Sequence, residues 1–376
     1  MIVKFENINI FSPDSGFCTG DLCWKDGVIV EEIREENGID GTGYYAIPGL
    51  LDLHFHGCVG HDFCDGTKEA LDAITKYELY QGITAICPAS MTFPEERLAE
   101  IFSNAASYEG NHGADLIGIN MEGPFVSEKK KGAQNGAYIQ KPDADKFLRL
   151  QKKANGLIKL LDIAPETEGA MECIKRLKGQ VRISIAHTEA DYETAAQAFD
   201  NGASHVTHLY NAMPSLHHRE PGVIGAACER ENCMVELITD GVHIHPAMVR
   251  ATFQMFGPER VILISDSMMA TGLEDGQYQL GGQPVTVKGN LATLTEGGNI
   301  AGSATNLMDC VRTAVKDMGI PLHQAIRCAS YNPAKALGVE QIYGSLEAGT
   351  KADIVILDQD LKIQYLIKDG KILMQP

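Results

Sequence analysis

The sequence predicts a TIM-like (β/α)8 barrel, together with a small β-sandwich domain formed by both chain termini. Three observations predict it. Apolar, β-rich runs recur through the middle of the chain at 50–54, 83–87, 116–121, 158–164, 181–186, 203–207, 234–238 and 261–265. Helix-like segments at 68–81, 95–109, 144–154, 168–177, 192–202 and 246–256 separate most of them. A β run followed by a helix, repeated, reads as a parallel sheet, and eight such units closing on themselves make a barrel. Third, both ends of the chain are β-rich with little helical pattern. An open doubly wound sheet is the competing topology, but it usually carries a Gly-rich phosphate loop after its first strand. Here the first run ends in His54-Phe55-His56 instead.

In order, residues 2–5, 8–11, 20–24 and 28–33 read as short strands, with Asp26-Gly27 as a hairpin turn. At the far end 353–358, 363–367 and 371–373 read the same way. The expected domains are therefore 1–47 plus 345–376, and 48–344. After the eighth run, 277–295 reads as a β-hairpin excursion punctuated by Gly281-Gly282 and Gly289-Asn290. Helices at 303–318 and 321–329 then close the barrel, with Ser303 as N-cap.

Bulk properties exclude several classes. The chain has 376 residues, 44% of them hydrophobic, and a net charge of -18. No apolar run approaches the ~20 residues that span a membrane. The start MIVKFENINIF lacks the features of a secretory signal. No basic stripe is present, so nucleic acid is not an expected partner. The ten cysteines contain no Cys-x-x-Cys and read as reduced cytoplasmic thiols.

Barrel enzymes place their chemistry at the C-terminal ends of the strands. The first run ends in His54 and His56, the third in Glu122, the fifth in His187, the sixth in His208 and the eighth in Asp266. Residues two apart on a strand point the same way, so His54 and His56 project together. A single His or Glu at a strand end is more often a structural hydrogen-bonding residue. Five strand ends carrying ligand types, with no Lys or Arg among them, point jointly to a divalent metal. Imidazoles and carboxylates without a sulfur cage suit zinc or iron(II). Such a metal lowers the pKa of its water from ~15.7 toward ~7 and polarises a carbonyl. Asp266 is the candidate proton carrier for hydrolysis at a carbonyl or imine. His205, three residues before His208, is expected to face the other side of its strand. His61, His112 and His323 fall in loop or helix contexts, Asp52 reads as a structural hydrogen-bonding residue, and Cys58 and Cys64 as packing residues.

Added to these are Gly123-Pro124-Phe125 after Glu122, Thr188 after His187, His208-Leu209-Tyr210-Asn211-Ala212-Met213-Pro214, Arg219-Glu220-Pro221-Gly222 and Asp240-Gly241-Val242-His243. The set resembles the N-acetylglucosamine-6-phosphate deacetylases of the amidohydrolase superfamily, over essentially the whole chain. The resemblance implies a cytoplasmic enzyme that removes acetate from a phosphosugar, with two divalent metals per chain. Glu122, His187 and His208 would hold one metal. His54 and His56 would hold the second, with Glu122 bridging and Asp266 nearby. Asp266 would activate water and later protonate the amine. Asn211 and Ala212 would take the 6-phosphate, with His243 beside the phosphate or sugar. Arg219 would reach in from a neighbouring subunit, which implies a homodimer. One loop departs: some relatives have His where this chain reads Lys131-Gly132-Ala133-Gln134-Asn135. Ala133 and Gln134 are the expected substrate contacts there, and Gln134 can donate a hydrogen bond but carries no charge. Lysines 129 to 131 read as a solvated loop.

Two other readings compete. A cyclic amidase often bridges its metals with a modified lysine on the fourth strand; Lys159 lies near the start of that run, the wrong end. A deaminase has no use for a phosphate contact. A catalytically silent sugar-phosphate sensor would bind without releasing acetate.

Overall fold

The computed structural model describes residues 2–32, 38–110 and 112–376. Parallel strands run through the middle of the chain. They are β1 (Leu50–Asp52), β2 (Ile83–Ile86), β3 in two pieces (Asp115–Leu116 and Ile119–Met121), β4 (Ile158–Ile163), β5 (Arg182–Ile185), β6 (His205–Val206), β7 (Met234–Ile238) and β8 (Val261–Ile264). β1, β2 and the first piece of β3 pair in parallel. The second piece of β3 begins a six-stranded parallel sheet that continues in order to β8. Backbone contacts join the two sheets at both margins. Ala89 bridges to Asn120 on one side. On the other, the Asp266 N–H donates to the His54 carbonyl at 3.0 Å and the His56 N–H to the Ser267 carbonyl at 2.7 Å.

Alternation along the strands shows why the sheet curls. In β8, Val261 and Leu263 join the large core shared with the helices. Ile262 and Ile264 join a separate cluster with Leu51, Leu53, Ala85, Leu160, Met234 and Ile238. Residues two apart share a face, so the second cluster is the concave face of a parallel sheet buried on both sides. The architecture is mixed α/β.

Helices follow the strands at Lys68–Tyr80, Glu95–Ala106, Ala144–Lys153, Ala170–Leu177, Tyr192–Asn201 and Pro246–Phe256, near the expected ranges. Two short helices lack an expectation, Gly222–Cys228 and Tyr331–Leu337. The expected 303–318 helix starts later, at Leu307, and Asn306 caps it by accepting from the Asp309 N–H. Ser303 is held elsewhere: its N–H donates to the Asp266 carbonyl at 2.7 Å and its hydroxyl to the Ser265 carbonyl at 2.6 Å. The excursion at 277–295 forms three antiparallel strands, Gly276–Leu280, Gln283–Lys288 and Leu291–Leu294. No helix among the described residues is long and apolar enough to cross a membrane.

Both chain ends share one eight-stranded sheet, as the two β-rich termini suggest. Ile354–Leu357 from the C-terminal end pairs with Tyr45–Pro48 from the N-terminal end. The segments at 2–5 and 8–11 form one strand, Ile2–Ser12, with a register shift between Phe5 and Ile8. Asp26 and Gly27 both take positive φ, 50° and 85°, as a two-residue hairpin turn of the primed type requires. The 28–33 segment is a strand over Val28–Val30, and Ile33 lies outside the described residues.

Buried charge ties this sheet to the parallel strands. Lys368, 6% exposed, donates to Asp353 at 3.0 Å and to Asp115 of β3 at 2.8 Å. Lys351 reaches the same two carboxylates. Removing one partner of a buried ion pair strands the other charge in a poor solvent. Lys368→Ala is expected to lower stability by about 3 kcal/mol, at the low end of that range because Lys351 stays in reach. A urea unfolding curve superimposable on the wild type would show that the network is not needed.

Candidate active site

The sequence-expected ligands leave their strands at one end of the curled sheet. His54 and His56 follow β1, Glu122 follows β3, His187 follows β5, and His208 and Asp266 follow β6 and β8. All are at least nine-tenths buried. His187, His208 and Asp266 take positive φ, 43°, 27° and 49°. For non-glycine residues such conformations cost about 1–3 kcal/mol each, and they turn the side chains off the strand direction into a common space.

Glu122 sits at the centre. Its Oε1 lies 2.8 Å from His187 Nε2 and 3.3 Å from His208 Nε2. Its Oε2 lies 3.3 Å from His56 Nε2 and 3.6 Å from His54 Nε2. Asp266 Oδ1 lies 3.3 Å from His56 Nε2 and 3.9 Å from His54 Nε2. One carboxylate thus presents one oxygen to each histidine pair. Burial alone would raise its pKa, but His187, His208 and His54 hold it well below the usual carboxylate range. Asp266 behaves likewise: burial pushes it up, and His56, His54 and His208 bring it below its ordinary value.

The donor set fits a divalent cation. His187 Nδ1 lies 2.8 Å from the Lys130 carbonyl and donates to it, which leaves Nε2, facing Glu122, as the nitrogen that would offer a lone pair to a bound ion. The His187 and His208 Nε2 atoms stand 3.2 Å apart, both against Glu122. His54 Nε2 and Glu122 Oε2 are buried without a hydrogen-bond partner among the described residues. Converging lone pairs and orphaned acceptors repel one another unless a cation lies among them. Two groups have ligand atoms close enough to share an ion: His54, His56 and Asp266, and His54, Glu122 and His208.

A cavity of about 390 Å³ opens over this cluster. Ala133, Gln134, Asn211, Ala212 and His243 line it, as do Lys129, Lys130, Met91, Leu280 and Ile300, which the sequence did not single out as contacts. Gln134 Oε1 accepts from the Thr92 N–H at 2.7 Å, while among the described residues its Nε2 has only the Met91 sulfur at 3.6 Å, so the amide N–H remains available for a stronger acceptor. Lys129 pairs with Glu189 and Lys131 with Glu128. His243 Nδ1 faces Asp240 at 2.7 Å. Burial lowers its pKa, and Asp240 more than offsets this, so the imidazole titrates above its ordinary value.

Arg219 is outside the cavity, exposed on a surface depression with Glu189, Pro214 and Glu229. Lys159 lines another depression with Arg182 and Lys335. It does not line the cavity over Glu122.

A further expectation is overturned at the site. His205 was expected to face away from the site's surroundings because strand parity opposes it to His208. β6 ends at Val206, and the chain turns at His208 with φ 27°, so parity does not carry across. His205 is fully buried and its Nε2 lies 2.9 Å from Glu236, whose other oxygen contacts His54. Glu236 itself was missed. The signal was present as one acid inside the otherwise apolar run Met234-Val235-Glu236-Leu237-Ile238.

Fold and cluster fit an amide hydrolase of a family that is generally metal-dependent. Residues 45–373 match the Amidohydrolase family, and the chain belongs to that family. Within it, the N-acetylglucosamine-6-phosphate deacetylase of Bacillus subtilis is 39% identical over 87% of this chain and 84% of its own. The N-acetylgalactosamine-6-phosphate deacetylase of Escherichia coli O157:H7 is 34% identical over 86% of each. A mutant N-acetyl-D-glucosamine-6-phosphate deacetylase from Mycobacterium smegmatis, solved with N-acetyl-D-glucosamine-6-phosphate, superposes with a TM-score of 0.92 at 30% identity. It covers 100% of this chain and 99% of that one.

Because Glu122 faces both histidine pairs, Glu122→Ala is expected to weaken binding of every divalent ion at least ~10-fold, the lower limit for loss of even an indirect partner. Metal content after equilibrium dialysis against a chelator measures this. Wild-type content in the variant would remove Glu122 from the ligand set.

Proposed function

We propose that this chain hydrolyses N-acetyl-D-glucosamine 6-phosphate to D-glucosamine 6-phosphate and acetate, a step of amino-sugar catabolism. The observation that carries it is Glu122, with one oxygen on His187 and His208 and the other on His54 and His56, beside Asp266. The relatives' activities support the substrate.

The proposed framework is one (β/α)8 barrel over 48–344, with 1–47 and 345–376 folded as a small sandwich. A core of its own within the terminal sheet, including Phe5, Trp24, Ile354 and Ile367, supports the second part. In this reading His187, His208 and Glu122 hold one ion. His54 and His56 hold a second, with Glu122 shared and Asp266 adjacent. Zinc and iron(II) both suit these donors. Bound ions would supply acidified water and a Lewis acid at the acyl oxygen.

The residues of the chain do the rest. Asp266 accepts the proton of the attacking water and returns it to the amide nitrogen as the C–N bond breaks. Gln134 donates to the substrate through its amide. Asn211, Ala212 and Ala133 shape the wall on which the sugar phosphate lies, and His243 as an imidazolium gives that wall a positive charge. Arg219, exposed and outside its own chain's cavity, completes the phosphate site of a second copy, so the working form is a homodimer. The cytoplasm is the proposed compartment, since a phosphorylated sugar does not cross a bilayer unaided and is retained where it is made.

Acetate release from N-acetyl-D-glucosamine 6-phosphate, its galacto epimer and the unphosphorylated sugar tests the reading. Turnover should require the phosphate. Asp266→Asn should lower kcat by about 10²–10⁴, the usual share of a general acid–base group. Near-normal turnover in that variant would take Asp266 out of the mechanism.

The Asp240–His243 pair gives a pH signature. Asp240 raises the His243 pKa, so the charge is present below that raised value and is lost as pH rises through it. Asp240→Asn leaves burial opposed only by the weaker pull of Asp266, and the charge is then lost at lower pH. KM for the phosphosugar should climb earlier with pH in the variant, by roughly ten-fold where only the wild type is charged, the worth of one charge-assisted hydrogen bond. Parallel KM profiles would show that His243 does not act as a cation.

A further inference from the structure

Glu236 is a carboxylate on the concave face of β7, fully buried, between Met234 and Ile238 of the interior cluster. An ion in such a place costs several kcal/mol unless every lone pair is used. Here three N–H groups use it. Its Oε2 lies 2.8 Å from His54 Nδ1 and accepts from the His208 backbone N–H at 3.1 Å. Its Oε1 lies 2.9 Å from His205 Nε2. A carboxylate only accepts, so both imidazole nitrogens facing it carry hydrogen. With the proton on Nδ1, His54 turns a bare Nε2 toward Glu122 and Asp266.

We propose that Glu236 is a positioning residue that serves both histidine pairs at once. It fixes the tautomer and ring plane of His54, and it pins the left-handed turn from which His208 leaves β6. His205 holds the carboxylate's rotation from the far side. The residue does not itself line the cavity and acts only through the histidines, of which His208 does line it. This inference rests on His54 and His208 being ligands, as proposed above.

Glu236→Gln tests it. An amide of the same shape has one accepting oxygen, so it cannot receive both imidazole N–H groups. The amide keeps the size and shape of the carboxylate, but its NH2 group must face one of the two imidazoles, so His54 and His205 compete for the one remaining oxygen. The variant should fold, with a melting temperature close to that of the wild type. Two readouts are taken on the purified full-length protein. The first is zinc content under chelator competition, where the variant should lose one ion at a chelator concentration ~10–100-fold below that needed for the wild type. The second is the nitrogen NMR of selectively labelled histidine, assigned with His54→Asn. In the wild type His54 should be protonated at Nδ1, and in the variant that tautomer should be lost or mixed. Unchanged zinc retention together with an unchanged His54 tautomer overturns the proposal. A wild type that retains no zinc but shows the His54 tautomer shifting in the variant would overturn the metal reading while leaving the positioning role intact.

Discussion

A single carboxylate shared by two histidine pairs is the constraint on which this architecture depends. Four imidazole nitrogens converge on Glu122 within 3.6 Å, at the buried floor of the cavity. Left to itself, such a cluster of lone pairs favours opening. What holds it together is the parallel sheet, whose ladder fixes the strand ends, and a set of left-handed backbone turns at His187, His208 and Asp266. The strain of those turns is offset by the large core between sheet and helices. Stability of the whole and geometry of the site are therefore linked through the strand ends.

The strand register sets the division of labour between the faces. Residues such as Val235, Leu237, Val261 and Leu263 pack outward under the helices. Their neighbours turn inward, where apolar residues fill one end and polar ones gather toward the other. Asp162, Ser184, Thr207 and Glu236 are fully buried and linked by hydrogen bonds to partners within the same space or to the ligands. Buried polar networks of this kind contribute little net stability but make alternative packings costly, because each leaves a group unpaired. That is a sound way to hold imidazoles to a few tenths of an ångström.

Much of this was legible in the sequence. The eight apolar runs fall on the parallel strands, and the residues that end them, His54, His56, Glu122, His187, His208 and Asp266, meet in one place. Period-two alternation and strand-end chemistry survive in sequence because they are local. What was not legible is what depends on the turn after a strand. β6 is only two residues long, so parity from His205 to His208 has no strand to run along. Ser303 reads as a helix cap, yet it is taken by the backbone of Ser265 and Asp266, 38 residues away from the first of these. Glu236 was visible as an acid in an apolar run, but its partners come from two other strands, and no spacing rule reports them.

The seam between the first and last parallel strands shows how distant segments become one rigid unit. Asp52 accepts from the Ser265 hydroxyl. The His54 carbonyl accepts from the Asp266 N–H, and the His56 N–H donates to the Ser267 carbonyl. Asp266 and the histidine pair are thus locked to each other by main-chain bonds, although 210 residues separate Gly57 from Ser267, which close the same seam. Side-chain rotamers alone would let Asp266 drift relative to His54 and His56. Backbone bonding removes that freedom before any substrate arrives, and the cost of ordering is met during folding rather than during the reaction. Ser265 and Ser267 are buried in this seam, and a bulky side chain at either position would push apart the two strand ends that these bonds hold side by side.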